Sequence, residues 1–154
     1  MSILKELGVP IFKAGGIPTI DLRTYILSVA GLVEKDYRFS WQEILSIPKR
    51  KINCRLTSVS GCSVRADWEG IRWNDFLESI SVRPEADHVR FSTVGGGYTT
   101  VVRYQDLENP RALLAYGVNG EPIEPEYGGP LRMVIPNLWG YKSCKWLGRI
   151  EFID

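Results

Sequence analysis

Between Gly128 and Trp146 the chain reads GGPLRMVIPNLWGYKSCKW, and within it Arg132, Lys142, Ser143 and Lys145 bring three positive charges and one hydroxyl into a single stretch. The glycine-containing turn that precedes Lys142 can aim backbone N–H groups outward. Cations, a hydroxyl and outward amides are the groups that hold an anion such as a phosphate, because hydrogen bonds to a charged oxygen are shorter and stronger than neutral ones. The same residues admit a plainer arrangement, with two solvated lysines and Arg132 lying over Trp139 or Trp146.

A second group of reactive residues lies in Ser58-Val59-Ser60-Gly61-Cys62-Ser63. Cys54 lies upstream of it, but four residues along a strand separate it from Ser58 by about 13 Å. Each of Cys54, Cys62 and Cys144 is expected first as a small buried hydrophobe. Gly95-Gly96-Gly97-Tyr98 is a tight loop, whose glycines either let backbone approach a ligand or supply φ > 0 in a hairpin. His88 is the one histidine, it sits on a strand away from these stretches, and we expect it to be structural or exposed. A lone histidine gives no basis for a zinc site or a Ser–His hydrolase. Ser58-x-x-Gly61 does not match a nucleophile elbow.

Short elements must position these groups. Residues 1–20 carry Gly8, Pro10, Gly15, Gly16 and Pro18 and read as an extended arm, followed by one domain over 21–154. Residues 24–30 are β-rich, and Gly31 ends that strand. Ser40 with Glu43 three residues on predicts a capping box, opening a short helix with Trp41, Ile44 and Leu45 on one face and Pro48 beyond it. Residues 52–59 alternate as a strand with Ile52, Cys54, Leu56 and Ser58 on one side. Residues 64–68 look polar and irregular, with a turn at 68–73 and a short helix over 74–79. Strands follow at 88–92 and 99–104, an apolar stretch at 111–116, and an Asn119-Gly120 hairpin turn. Residues 131–135 read as a buried strand stopped by Pro136, and 146–152 as the closing strand. Short strands, frequent Gly and Pro, and small helices predict an α+β fold with a compact mixed, largely antiparallel sheet.

Composition sets wider bounds. At 154 residues the chain can bury a core without staples. With 19 basic and 18 acidic residues the net charge is +1, which gives no electrostatic case for nucleic acid as a partner. Three cysteines fit a reducing compartment, and no apolar run approaches the ~20 residues of a membrane helix, so we expect a cytoplasmic protein without a membrane span.

The segment GGPLRMVIPNLWGYKSCKWLGRIEF resembles the C-terminal signature of the sulfite-oxidase-type molybdopterin-binding domain, and the likeness extends upstream to about Asp21. The resemblance implies a domain that holds molybdenum through the dithiolene of a pyranopterin, with Arg132, Lys142, Ser143 and Lys145 at the positions that grip the cofactor's phosphate. Ser60, Gly61, Tyr98 and Tyr127 fall at other cofactor-binding positions. It implies oxygen-atom transfer to or from a small oxyanion or sulfoxide, a small-molecule substrate, and a separate electron-transfer protein.

Three departures bear on activity. The family commonly reads Cys-Val-Thr-Gly-Trp-Ser where this chain reads Ser58-Val59-Ser60-Gly61-Cys62-Ser63, so Ser58 falls on the metal-ligating position and Cys62 on the usual tryptophan. Ser58 is then the candidate metal ligand, and Ser58 and Cys62 are the candidate catalytic residues. A serine hydroxyl is a harder donor than a thiolate and ionises only with the metal's help. Tyr127 replaces the usual histidine, and Gly95-Gly96-Gly97 lacks the acidic residue that often precedes glycine and tyrosine. The alternative expectation is a catalytically inactive protein that still binds molybdopterin or another phosphate-bearing ligand.

Overall fold

Alternating apolar and polar residues, interrupted by Gly and Pro every few positions, give ten short strands and two short helices among the described residues. These are 16–57, 63–139 and 142–154 of a computed structural model. The first sheet contains β1 (Ile26–Gly31), β2 (Tyr37–Ser40), β5 (His88–Thr93), β6 (Thr99–Arg103) and β10 (Leu147–Ile153), in the order β2-β1-β10-β5-β6. Only β1 and β10 run parallel within it. The second sheet, wholly antiparallel, contains β3 (Arg50–Thr57), β4 (Ser63–Arg72), β7 (Leu113–Val118) and β8 (Glu121–Pro122), with β9 (Arg132–Val134) paired to β7. This is the α+β, largely antiparallel class expected.

The helices are α1 (Trp41–Ser46) and α2 (Trp73–Leu77). The capping box opens α1: Ser40 Oγ accepts from the Glu43 N–H at 3.2 Å, and the Glu43 carboxylate accepts from the Ser40 N–H at 3.1 Å. Ile47 ends the helix in an extended conformation (φ −76°, ψ 140°), as a residue before proline must. In α2 the buried side chains are Trp73 and Phe76.

Two clusters make the core. The larger joins the first sheet and both helices to one face of the second sheet, through Leu27, Val29, Phe91, Ile150 and Phe152 against Ile71, Trp73, Leu114 and Met133. The smaller lies on the opposite face of the second sheet and holds Cys54, Leu56, Trp68, Leu113, Tyr127 and Val134. Leu113 and Val134 therefore face one cluster while Leu114 and Met133 face the other. Strands covered on both faces need continuous apolar sequence, which explains LLAYGV and LRMVI.

Residues 64–68 form β4 rather than an irregular stretch, and the turn expected at 68–73 is strand running into α2. Their polarity belongs to the outer face of the β3–β4 ladder. There Asn53 donates to Asp67 (2.7 Å), Arg65 donates to Asn53 (2.9 Å) and Arg55 donates to Ser63 (3.1 Å). The buried strand expected at 131–135 pairs only over Arg132–Val134, although all five residues are buried. The expected first strand begins two residues later, because Asp21 to Thr24 close a turn through Thr24 N–H to Asp21 O (3.1 Å). Asn119 and Gly120 form the expected hairpin turn, both with positive φ (48° and 84°).

Gly70 marks a close approach of strands: a Cβ there would lie 1.9 Å from the Leu114 carbonyl oxygen. Gly70→Ala is expected to destabilise the fold by about 3 kcal/mol or more, since backbone must move to admit the methyl. Ser40→Ala should cost only about 1 kcal/mol through the lost cap. Urea unfolding of the two variants checks the order.

Candidate functional site

The site begins with a short strand bounded by two prolines. Pro130 precedes β9 and Pro136 follows it, so pairing is confined to three residues. Alternation turns Met133 to the larger cluster and Val134 to the smaller, and Arg132 lies with its guanidinium 5.5 Å from the ring of Trp68, a member of the smaller cluster. Arg132 is 4% exposed. Its Nε donates to the Met133 carbonyl (3.1 Å), one terminal nitrogen to the Tyr127 carbonyl (3.0 Å) and the other to the Ser143 carbonyl (3.4 Å). One buried cation thus ties together the Gly-Gly-Pro turn, its own strand and the 142–145 segment. Among the described residues it has no carboxylate partner.

Ser143 is also buried, and its Oγ accepts from the Ile135 N–H at 2.9 Å. Lys145 is half-buried, with its Nζ 5.9 Å from the Trp146 ring and its stem against Gly128. Gly128 adopts φ 100°, and a Cβ there would meet Lys145 Cγ at 2.7 Å. Both facts require glycine at this position. Trp146 locks the turn from the other side: its N–H donates to the Gly128 carbonyl (2.9 Å) and its indole to the Pro125 carbonyl (2.7 Å). Burial of its ammonium, then the neighbouring Arg132 charge, pull Lys145 from its ordinary 10.5 down to about 8. Burial likewise lowers Arg132 to about 10 and raises the Cys144 thiol to about 12, so Cys144 is no thiolate at neutral pH.

Lys142 and Tyr98 lie toward the edge of the first sheet. Lys142 Nζ donates to the Val101 carbonyl on β6 at 3.0 Å, and its N–H donates to the Trp139 carbonyl at 2.9 Å. Trp139 also makes a parallel bridge to Thr57, the last residue of β3, which brings Trp139 to the point where β3 ends. Tyr98 is exposed and closes the Gly95–Gly97 loop, its N–H bonded to Thr93 Oγ1 (3.1 Å). The Val94 N–H donates to the Trp146 carbonyl at 2.7 Å, joining that loop to the Lys145 side. Tyr127 is buried, and burial with the Glu124 and Glu126 carboxylates raises its phenol above the ordinary value. Ser58, Ser60, Gly61 and Cys62 lie outside the described residues.

Of the residues singled out in the sequence, Tyr127, Arg132, Ser143 and Lys145 come together through one hydrogen-bonded turn. Lys142 and Tyr98 belong to a neighbouring loop pair. Trp68 is the residue that sequence reasoning passed over as a frame marker. It is 1% exposed, and its indole N–H has no partner. The Val64, Ala66, Trp68 alternation could have shown a strand that turns this side chain inward. His88 is away from this cluster, on β5, with its Nδ1 2.8 Å from the Asp87 carboxylate. Cys54 and Cys144 are free and buried.

The family model for the oxidoreductase molybdopterin binding domain matches residues 14–154. The chain belongs to this family. It is 36% identical over 146 residues to the uncharacterized oxidoreductase YuiH of Bacillus subtilis, covering 93% of this chain and 73% of that protein. It is 31% identical over 175 residues to sulfite oxidase of Arabidopsis thaliana, covering 90% of this chain and 44% of that one. The sulfane dehydrogenase SoxCD of Paracoccus pantotrophus has the same fold, with a TM-score of 0.83 at 21% identity over 90% of this chain and 40% of that one. The chain therefore spans less than half of the last two.

Molybdopterin ends in a phosphate, and the family's cofactor can be tested against the residues present. Arg132 and Lys145 lack any carboxylate partner among the described residues, and Trp68, whose ring lies 5.5 Å from the Arg132 guanidinium, has a buried indole N–H without an acceptor. An anion at this turn would relieve the mutual repulsion of Arg132 and Lys145, so the arrangement fits a phosphate-bearing group.

Lys145 sets a pH dependence whose sign is fixed. Its folded pKa lies below its unfolded one, so between about pH 8 and 10.5 the unfolded chain binds more protons, and stability gains from this group as pH rises. The ligand-free wild type should therefore be less stable than Lys145→Met below pH 8, and the gap should close by pH 10.5, as read by paired thermal melts. Arg132→Met should cost about 3 kcal/mol by leaving the carbonyls of Tyr127, Met133 and Ser143 unsatisfied, as read by urea unfolding.

Proposed function

We propose that this domain binds molybdopterin for oxygen-atom transfer to or from a small oxyanion or sulfoxide, with a separate redox protein exchanging the electrons. The observation that carries this reading is that Arg132 donates to the Tyr127 and Ser143 carbonyls while the Lys145 stem packs on Gly128, so two cations converge on the Gly-Gly-Pro turn with no carboxylate partner among the described residues. In this reading Lys145 and Lys142 meet the phosphate end directly, and Ser143 places the backbone between them. Arg132 has spent three donors on carbonyls, so it acts by positioning the turn and by its field. Tyr98, Tyr127, Ser60 and Gly61 would be further cofactor contacts by their positions in the family motif. Ser58 would hold the metal-ligating position, and Cys62, four residues on, is the second candidate catalytic residue.

When bound, the cofactor supplies the metal that exchanges an oxygen atom and an electron pair with substrate. The protein supplies orientation and electrostatics. The relationship to sulfite oxidase supports a sulfite-like oxyanion as substrate. The exposed tyrosine at 98 and tryptophan at 139 give the approach an aromatic rim. The thiols of Cys54 and Cys144, neither in a disulfide, suit a reducing compartment such as the cytoplasm. No described helix is long and apolar enough to cross a membrane.

The test is elemental analysis for molybdenum and tungsten, with fluorescence of released oxidised pterin, on protein purified from its native host. Near-stoichiometric metal and pterin are expected. Pterin without metal would favour an inactive binder, and the absence of both would remove the reading. Ser58→Cys should raise metal retention if Ser58 holds the ligand position, and unchanged metal content would count against that placement. Binding of the pterin should weaken through about pH 8 as Lys145 loses its proton, and Lys145→Arg should remove that inflection.

A further inference from the structure

Among the described residues, five large apolar side chains are exposed: Leu22, Leu45, Tyr98, Val101 and Trp139. The last three border the site already described. Leu22 and Leu45, 42% and 46% exposed, instead line a groove of about 410 Å³ between the 16–22 arm, α1 and the 122–130 segment. Trp41 and Tyr116 form its aromatic wall, their rings packed edge to face at 6.0 Å, and Pro122 and Pro130 form the opposite wall. None of the site's cations lines it.

The rim carries a distinct charge. Glu121, Glu124 and Glu126 follow one another along the groove-forming segment, and none is in an ion pair among the described residues. Arg23 pairs with Asp21 at 3.0 Å and Lys49 with Glu69 at 3.5 Å, so neither offsets these carboxylates. The bordering strand β8 is two residues long and includes Pro122, which has no N–H, so it offers a poor template for an added strand. A segment that brings no unsatisfied backbone ladder fits better. Polyproline II conformation meets that condition, is pre-ordered, and docks against aromatic walls.

We propose that this groove binds an extended, proline-containing segment of a partner protein, with lysine or arginine beside the prolines meeting Glu121, Glu124 and Glu126. Apolar contact with Trp41, Tyr116 and Leu45 supplies affinity, and the acidic rim supplies selection against acidic segments. The proposal is independent of the cofactor reading. It touches the site at one place only: Gly129 and Pro130 line the groove, next to the Gly128 that packs on Lys145.

The test is fluorescence anisotropy with the full chain and two labelled peptides, Arg-Arg-Pro-Leu-Pro-Pro-Leu-Pro and the same sequence opening with Asp-Asp. The arginine peptide should bind at least ~tenfold more tightly, and added salt should narrow the difference. Glu124→Gln combined with Glu126→Gln should close most of the gap, whereas Leu45→Ser should weaken both peptides. These substitutions leave the core untouched, and thermal melts confirm that the variants fold. Equal affinity for the two peptides, no binding of either, or binding unchanged in Leu45→Ser would overturn the proposal.

Discussion

A buried guanidinium without a carboxylate is the constraint on which the rest of this structure turns. Taking a cation out of water is costly, and a protein usually answers with an acid beside it. Here the answer is three backbone carbonyls and the face of Trp68. Those carbonyls belong to Tyr127, Met133 and Ser143, so one side chain fixes the relation between the turn before β9, the strand itself and the segment after the 137–142 loop. The positive charge is stabilised locally but not cancelled. Lys145, placed next to it by the Gly128 contact, feels that charge as a lowered proton affinity. The field at this turn is set by the fold and stays available to an anion.

Holding an arginine in such a place needs packing on both faces of the strand that carries it. β7 and β9 are covered by one cluster through Leu114 and Met133 and by the other through Leu113 and Val134. The larger cluster supplies most of the apolar burial and fixes the mutual placement of the sheets. The smaller one, with Trp68 and Tyr127, encloses the guanidinium. Gly70 allows β4 to approach the backbone of β7, which brings Trp68 within reach of Arg132. Stability and the site are thus built from the same central strands on opposite faces.

The chain belongs to the oxidoreductase molybdopterin binding domain family, and in the proposed reading Ser58, Tyr127 and Gly95–Gly97 are departures toward the metal end while the basic turn is kept. A phosphate grip depends on charge and backbone geometry and tolerates changes at the metal end. The two apolar surfaces divide in a similar way. Tyr98, Val101 and Trp139 border the site, whereas Leu22 and Leu45 line a groove on the far side of the same Gly-Gly-Pro turn. A partner seated in that groove would lean on Gly129 and Pro130 and leave the approach to the site open.

Much of this was legible in the residues. The capping box at Ser40 and Glu43, the Asn119-Gly120 turn and the alternation of Cys54 and Leu56 are local rules, and local rules act before tertiary contacts exist. The C-terminal motif likewise marked the basic turn and the family. The β4 strand was misread because Arg65 and Asp67 look like loop residues until Asn53 stands opposite them. The roles of the cations were not legible either. By sequence Arg132, Lys142 and Lys145 are three equivalent charges. Only the tertiary structure buries the first among carbonyls, sends the second to the edge of β6 and leaves the third half-buried against a glycine, because burial and hydrogen-bond partners come from strands distant in the chain. Sequence by itself determined which residues could meet an anion; the packing of β4, β7 and β9 decided which of them remains able to do so.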